Sequence, residues 1–98
     1  MDWKALYPKK WAEWAYNVRK RDGYKCQLLK PNGKKCGYKS KTNKPHHIYP
    51  KAEFPLKVFD VNNGITLCQN CHIHIVHKNG YEMYISQFIQ TVAKNAVV

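Results

Sequence analysis

The sequence predicts a single small α+β domain whose modest core is stapled by a metal. Three observations carry that expectation. Two stretches with the apolar period of a helix, residues 8–21 and 81–92, flank a centre of short strand-like runs and turns. Cysteines stand at positions 26, 36, 68 and 71, the last two as a CxxC pair. Finally, a chain of 98 residues buries only about 60 to 65% of its unfolded surface on folding. Three Trp, seven Tyr and three Phe make its core compact, and a staple supplies what a larger core would.

The elements follow in chain order. In PKKWAEWAYNVRKR, residues 8–21, Trp11, Trp14, Ala15 and Val18 fall at i, i+3, i+4 and i+7. That is one face of a helix, with Pro8 at its first position, where a missing N–H is harmless, and Asp22-Gly23 as its stop. Trp11 and Trp14 are expected to pack this helix on the domain. Between Cys26 and Cys36, Pro31-Asn32-Gly33 marks a loop or hairpin, and the polar run 40–45 is a second turn. His46-His47-Ile48-Tyr49, closed by Pro50, reads as a brief strand, and Ile65-Thr66-Leu67 as another after the Asn62-Asn63-Gly64 turn. Residues 51–61 form a long loop containing Pro55. Asn70 is a cap candidate for a helix starting near Cys71. After Asn79-Gly80, the apolar residues Tyr81, Tyr84, Ile85, Phe88, Ile89 and Val92 predict a C-terminal helix of about 12 to 14 residues. No repeat or linker is visible, so residues 1–98 form one domain.

Charge narrows the partner. Seventeen Lys and Arg against six Asp and Glu leave a formal +11, which favours a polyanion such as nucleic acid. Residues 9–44 hold 12 of the 17 cations, offset there only by Glu13 and Asp22. Phosphate neutralisation by such a stretch gives salt-dependent affinity without sequence reading. Arg19, Lys20, Arg21 and Lys25 are the candidate backbone contacts. No apolar run approaches the roughly 18 residues of a membrane span, and Met1-Asp2-Trp3-Lys4 lacks the apolar segment of a secretory signal. The expectation is a soluble protein of the cytoplasm with no membrane partner.

In a reducing compartment four cysteines suit a metal better than disulfides, and four thiolates suit tetrahedral Zn²⁺. Nine residues separate Cys26 from Cys36, more than the usual two of a knuckle, so the first half of the site is an expanded knuckle. A thioredoxin-like redox pair is disfavoured because the CxxC does not open a helix in a βαβ pattern. All five histidines (46, 47, 72, 74, 77) lie between positions 46 and 77 and are not explained by that zinc.

Their order carries a resemblance. Arg21-Asp22, Cys26, Cys36, His46-His47-Ile48, Asp60, Asn63-Gly64-Ile65-Thr66-Leu67-Cys68 and Cys71-His72 together resemble HNH endonucleases of the zinc-containing, four-Cys type common in phages and mobile elements. The resemblance covers about residues 19–78. It implies a ββα-metal (His-Me finger) fold with flanking N- and C-terminal helices, and metal-dependent hydrolysis of DNA phosphodiester bonds, by nicking or double-strand cleavage, leaving 5′-phosphate and 3′-hydroxyl ends. By position, His46 and His72 match ligands of a catalytic divalent ion (Mg²⁺, Mn²⁺, Ni²⁺ or Zn²⁺). His47 matches the general base, and Asn63 the residue that orients that base or ligates the ion. Cys26, Cys36, Cys68 and Cys71 match the structural zinc site. A phage origin further implies the host cytoplasm and a terminase or other partner protein.

The residue types fit this chemistry on their own terms. Phosphodiester hydrolysis needs water turned into a nucleophile and charge stabilised at the phosphate, and a histidine titrating near neutrality can take the water proton. Side chains alternate along a strand, so adjacent His46 and His47 serve one site only if the strand bends or bulges. An amide at Asn63 can accept the second N–H of His47 and fix its tautomer. The chain departs from the family after His72. Val76 stands where many members have a further His, and His74 and His77 flank it. At 100° per residue neither is a clean helical partner of His72; His77 stands as an auxiliary ligand or phosphate contact, and His74 as a surface or core residue. A zinc deaminase is excluded by Tyr49, where that chemistry needs a Glu two residues after the His. The alternative of another class is a non-catalytic, zinc-stabilised nucleic-acid-binding module, which needs the charge and the cysteines but not His46, His47, Asn63 and His72 in these places.

Overall fold

The computed structural model describes residues 2–96. A short helix α1 (Trp3–Leu6), capped by the Asp2 carboxylate on the Ala5 N–H at 3.1 Å, precedes helix α2 (Pro8–Arg21). α2 has the bounds its apolar period predicts and buries Trp14, Ala15 and Val18. Beyond it, Gly23 at φ +64° and Tyr24 at φ +60° reverse the chain. Residues 25–39 form the expected hairpin, bridged at Lys25–Lys39 and Leu29–Lys35. Cys36 N–H donates to Leu28 O at 2.8 Å and Gly37 N–H to Cys26 O at 2.9 Å.

Strands β1 (Lys44–His47) and β2 (Gly64–Leu67) make a two-stranded antiparallel sheet, with His46 opposite Ile65 and His47 opposite Gly64. β1 starts two residues before the expected strand. Pro45 is tolerated inside it because the strand has a free edge. The loop between the strands carries 3-10 turns at Pro55–Lys57 and Val61–Asn63. Helix α3 (Gln69–Cys71) is capped by Cys68 and not by Asn70, and the Cys68 Sγ accepts the Cys71 N–H at 3.4 Å. It runs on into a π-helical segment, His72–His77. A 3-10 turn (Tyr81–Tyr84) then leads into helix α4 (Ile85–Ala96), so the C-terminal helical region is divided where one continuous helix was expected.

Two apolar clusters hold these pieces together. The larger gathers the inner faces of hairpin, sheet and helices around Leu28, Ile48, Ile65, Leu67, Val76, Phe88 and Val92. The smaller is Trp14, Ala15 and Val18 of α2, with Trp11, Phe59 and Val61 against it. α2 lies so close to β2 that a Cβ on Gly64 would stand 2.5 Å from Val18 Cγ2 and 2.8 Å from Trp14 Cζ2. Glycine is required there by space, since its φ of −126° is ordinary.

One buried ion pair ties the layers. Arg21 Nε and Nη2 donate to the two Asp22 oxygens at 2.9 Å, while Nη1 reaches Val61 O at 2.8 Å and Nη2 reaches Gly64 O at 2.6 Å. Asp22 in turn accepts the Thr66 N–H at 2.9 Å and the Asn95 amide of α4 at 3.0 Å. Among the described residues, no helix is long and apolar enough to cross a membrane.

Candidate metal centres and the histidine cleft

The hairpin delivers Cys26 and Cys36, and the turn from β2 into α3 delivers Cys68 and Cys71; the four sulfurs lie within 4.8 Å of one another. Zn–S bonds of about 2.3 Å in a tetrahedron put sulfurs about 3.8 Å apart, so the cluster is compatible with a structural metal such as zinc. Three of the four are buried. Burial pushes the Cys26 thiol up to about 11 and raises Cys71 as well. A bound ion must therefore displace protons, which makes occupancy pH-dependent.

The second cluster is made of imidazoles only. One nitrogen each of His46, His72 and His77 lies within the same 4.8 Å limit. Ring centroids are 5.1 Å apart for His46–His72 and 4.4 Å for His72–His77, and the Nε2 atoms of the latter pair are 2.9 Å apart. The His46 Nε2 is buried without a hydrogen-bond partner. Burial, then the charges of His72, His77 and His47, lower His46 to about 3. Three imidazoles clustered this way could hold a metal ion, and as donors they suit Zn²⁺ or Ni²⁺ better than oxygen-seeking Mg²⁺.

His77 reaches this cluster because of the backbone. In an α-helix, residues five apart point about 140° away from each other. The π-helical segment closes i→i+5 hydrogen bonds instead, which brings the fifth residue back over the first. His74 is exposed and takes no part.

His47 faces the other way, as strand alternation requires. The β1–β2 register is continuous, with no bulge. The His47 ring stacks on Trp14 at 4.1 Å and 10°, with Trp11 at 5.4 Å. Its Nε2 lies 2.9 Å from Val58 O. A carbonyl only accepts, so Nε2 carries the hydrogen and Nδ1 keeps the lone pair. Desolvation, with a smaller contribution from the Lys51 charge, pulls His47 below its usual value against the opposing Val58 hydrogen bond. Both faces of the strand border one cleft of about 490 Å³, lined by the three clustered histidines, His47, Trp11 and Lys51 among others. No bend in the strand is needed, because the cleft wraps its edge.

Several of the expected site residues have partners of their own in the fold. Asn63 does not touch His47: its Oδ1 accepts the Tyr49 N–H at 2.8 Å, and its Nδ2 donates to Tyr49 O and Lys57 O at 3.1 Å. It clamps the loop that presents the Val58 carbonyl, through Lys57 next to it. Arg21, with its side chain 11% exposed, spends four of its five N–H donors on Asp22 and two carbonyls, which leaves one Nη1 hydrogen for a phosphate. Lys20 and Lys25 are exposed, and Arg19 borders a different surface cavity beside α1; none of the three lines the histidine cleft. Lys51 does line it, with its ammonium 5.7 Å over the Trp11 ring, and Lys44 is close enough to bear on His72. Composition gave no reason to single out Lys51, Val58 or Tyr81. Neither family models, nor curated proteins, nor solved structures give a match to this chain.

Proposed function

We propose that the protein is a metal-dependent endonuclease of the HNH type that hydrolyses DNA phosphodiester bonds, with a ββα-metal core formed by β1, β2 and the helical segment carrying His72 and His77. One observation carries the reading: a three-imidazole ligand cluster and a separate histidine of fixed tautomer share a single cleft. His46, His72 and His77 would hold the cation, which would supply Lewis-acid stabilisation at the scissile phosphate. His47 takes the proton of the attacking water on Nδ1, the nitrogen that the Val58 hydrogen bond leaves free. Trp14 and Val58 hold that ring in place, and Asn63 fixes the loop behind Val58. Lys51 offers the cleft a positive charge for the DNA backbone. The net charge of +11 supports a polyanionic substrate.

The test is plasmid cleavage by the zinc-loaded protein with Mg²⁺, Mn²⁺, Ni²⁺ or added Zn²⁺, beside His47→Ala. The parent is expected to nick or linearise the plasmid, with the transition ions ahead of Mg²⁺. The variant is expected to lose on the order of 10²- to 10⁴-fold in rate with unchanged zinc content. Equal inactivity of two folded, DNA-binding proteins would instead favour the non-catalytic binding module.

A further inference from the structure

A phosphate and one ion do not fill the histidine cleft. At about 490 Å³ it lies in the ~300–1,000 Å³ range of pockets that enclose a whole small molecule. Beyond the histidines, its walls are flat and largely apolar: Trp11, Pro45, Pro50 and Tyr81. Trp11 is the informative residue. Trp14, one helical turn away, is 2% exposed and supplies the packing of α2, whereas Trp11 is only half-buried and borders the cleft. Its ring lies 5.5 Å from Trp14 and 5.4 Å from His47, and the Lys51 ammonium rests 5.7 Å over it. A π-face with a cation beside it, next to a ligand cluster, is the pairing that holds an unstacked base and its phosphate. At the other end, the Tyr81 phenol is raised above its usual value by desolvation and then by Glu53 and Glu82. That end is the less cationic one, which leaves Lys51 as the phosphate contact of the cleft.

In a duplex the bases are stacked inside, and a nuclease that needs only the backbone gains nothing from an aromatic wall. We infer that the cleft takes an unpaired nucleotide beside the scissile phosphate, its base against Trp11 and its phosphate on Lys51, so that single-stranded or locally unpaired DNA is the preferred substrate. The inference rests on the nuclease reading for the identity of the polymer and for the position of the scissile bond.

Binding separates the two. The probes are a labelled short oligothymidylate and a duplex of equal length, titrated by fluorescence anisotropy at fixed salt into zinc-loaded His47→Ala protein without further metal. The single strand is expected to bind tighter. Adding Trp11→Leu is expected to weaken single-strand binding on the order of 5- to 150-fold, the range that loss of one stacked base gives, and to leave duplex binding nearly unchanged. Lys51→Ala should weaken both and flatten their salt dependence. Equal affinity for the two probes, or equal loss of both in Trp11→Leu, overturns the inference. Should Trp11→Leu lose its fold by circular dichroism, Tyr81→Leu probes the opposite wall, and a selective single-strand loss or its absence decides in the same way. Selective single-strand binding by the His47→Ala protein, with no DNA cleavage by its parent, supports this site and overturns the nuclease reading. Cleavage of duplex and single strand at equal rates does the reverse.

Discussion

Replacing Gly64 by alanine tests the close approach of α2 to the sheet, and its expected sign opposes the usual one. At φ −126° and ψ 145° the backbone accepts any residue, so by unfolded-state entropy alone Gly64→Ala should stabilise by about 0.4–1 kcal/mol. The new Cβ would stand 2.5 Å from Val18 Cγ2 and 2.8 Å from Trp14 Cζ2, about 1 Å inside the 3.5–4.0 Å of a good carbon contact. Neither neighbour yields readily. Val18 is 0% exposed, and a β-branched side chain in a helix has one strongly preferred rotamer. Trp14 is tied by its Nε1–H to Asp60 O at 2.9 Å and stacked on His47. Overpacking of this kind costs about 1–3 kcal/mol, and the stiffness of both neighbours puts the net loss near 2 kcal/mol. For a domain of this size that is a fall of roughly 8–16 °C in Tm. The assay is urea unfolding of zinc-loaded Gly64→Ala, Val18→Ala and the double variant. Removing the Val18 methyls should relieve part of the clash, so the double variant should be more stable than the sum by on the order of 1 kcal/mol. A Gly64→Ala protein as stable as its parent, or strict additivity, would refute the packing argument.

Other predictions follow from the cysteine and histidine clusters. Deleting exposed His74 should convert the π-helical segment to α-helix and bring His72 and His77 to i,i+4 spacing, keeping Ni²⁺ binding measured by calorimetry. A folded deletion variant that has lost it would show that the ligand pair depends on the π geometry itself. Cys68→Ser should leave no folded, zinc-containing protein, and a cooperative, zinc-free unfolding transition would show that the four thiols are not a structural centre. For pH, His46 is held at about 3 by burial and by its histidine neighbours, against a usual 6.5, and His47 and His72 are displaced in the same direction. Because the unfolded chain takes up these protons first, stability is complete above about pH 6.5. It declines toward pH 3, by about 1.4 kcal/mol per pH unit for the His46 proton. Urea midpoints measured from pH 8 downward should show this limb, and His46→Gln should flatten it; a limb of unchanged slope in that variant would remove His46 as its source.

Helix α2 was legible in the sequence because Trp11, Trp14, Ala15 and Val18 keep a strict helical period over a stretch with both a start and a stop signal. The cysteine cluster was legible because a CxxC pair restricts geometry locally. What stayed hidden depends on partners distant in sequence or on unusual backbone. The cationic count places Arg21 among phosphate contacts, but that its guanidinium also binds Asp22 and the carbonyls at positions 61 and 64 is something no local pattern records. The sequence singles out Asn63 but not the partners of its amide, which are Tyr49 and Lys57 and not the imidazole. His77 falls outside any α-helical spacing rule, since its approach to His72 exists only where the helix widens to i→i+5. Lys51 is an ordinary loop lysine until the fold sets it over Trp11.

The nine-residue span between Cys26 and Cys36 has a consequence for how this small protein can change. The hairpin is already locked beneath its tip by the bonds from Cys36 N–H to Leu28 O and from Gly37 N–H to Cys26 O. Residues 31–34, exposed and cationic at Lys34, therefore lie beyond the part that fixes the sulfurs. Loop lengthening adds little closure entropy, about 0.6 kcal/mol per doubling, so an inserted segment or whole module at Pro31-Asn32-Gly33 leaves both ligand sets where they are. The tip is a free port on the domain: a place where a targeting element can be grafted, or gained by recombination, without rebuilding the cleft.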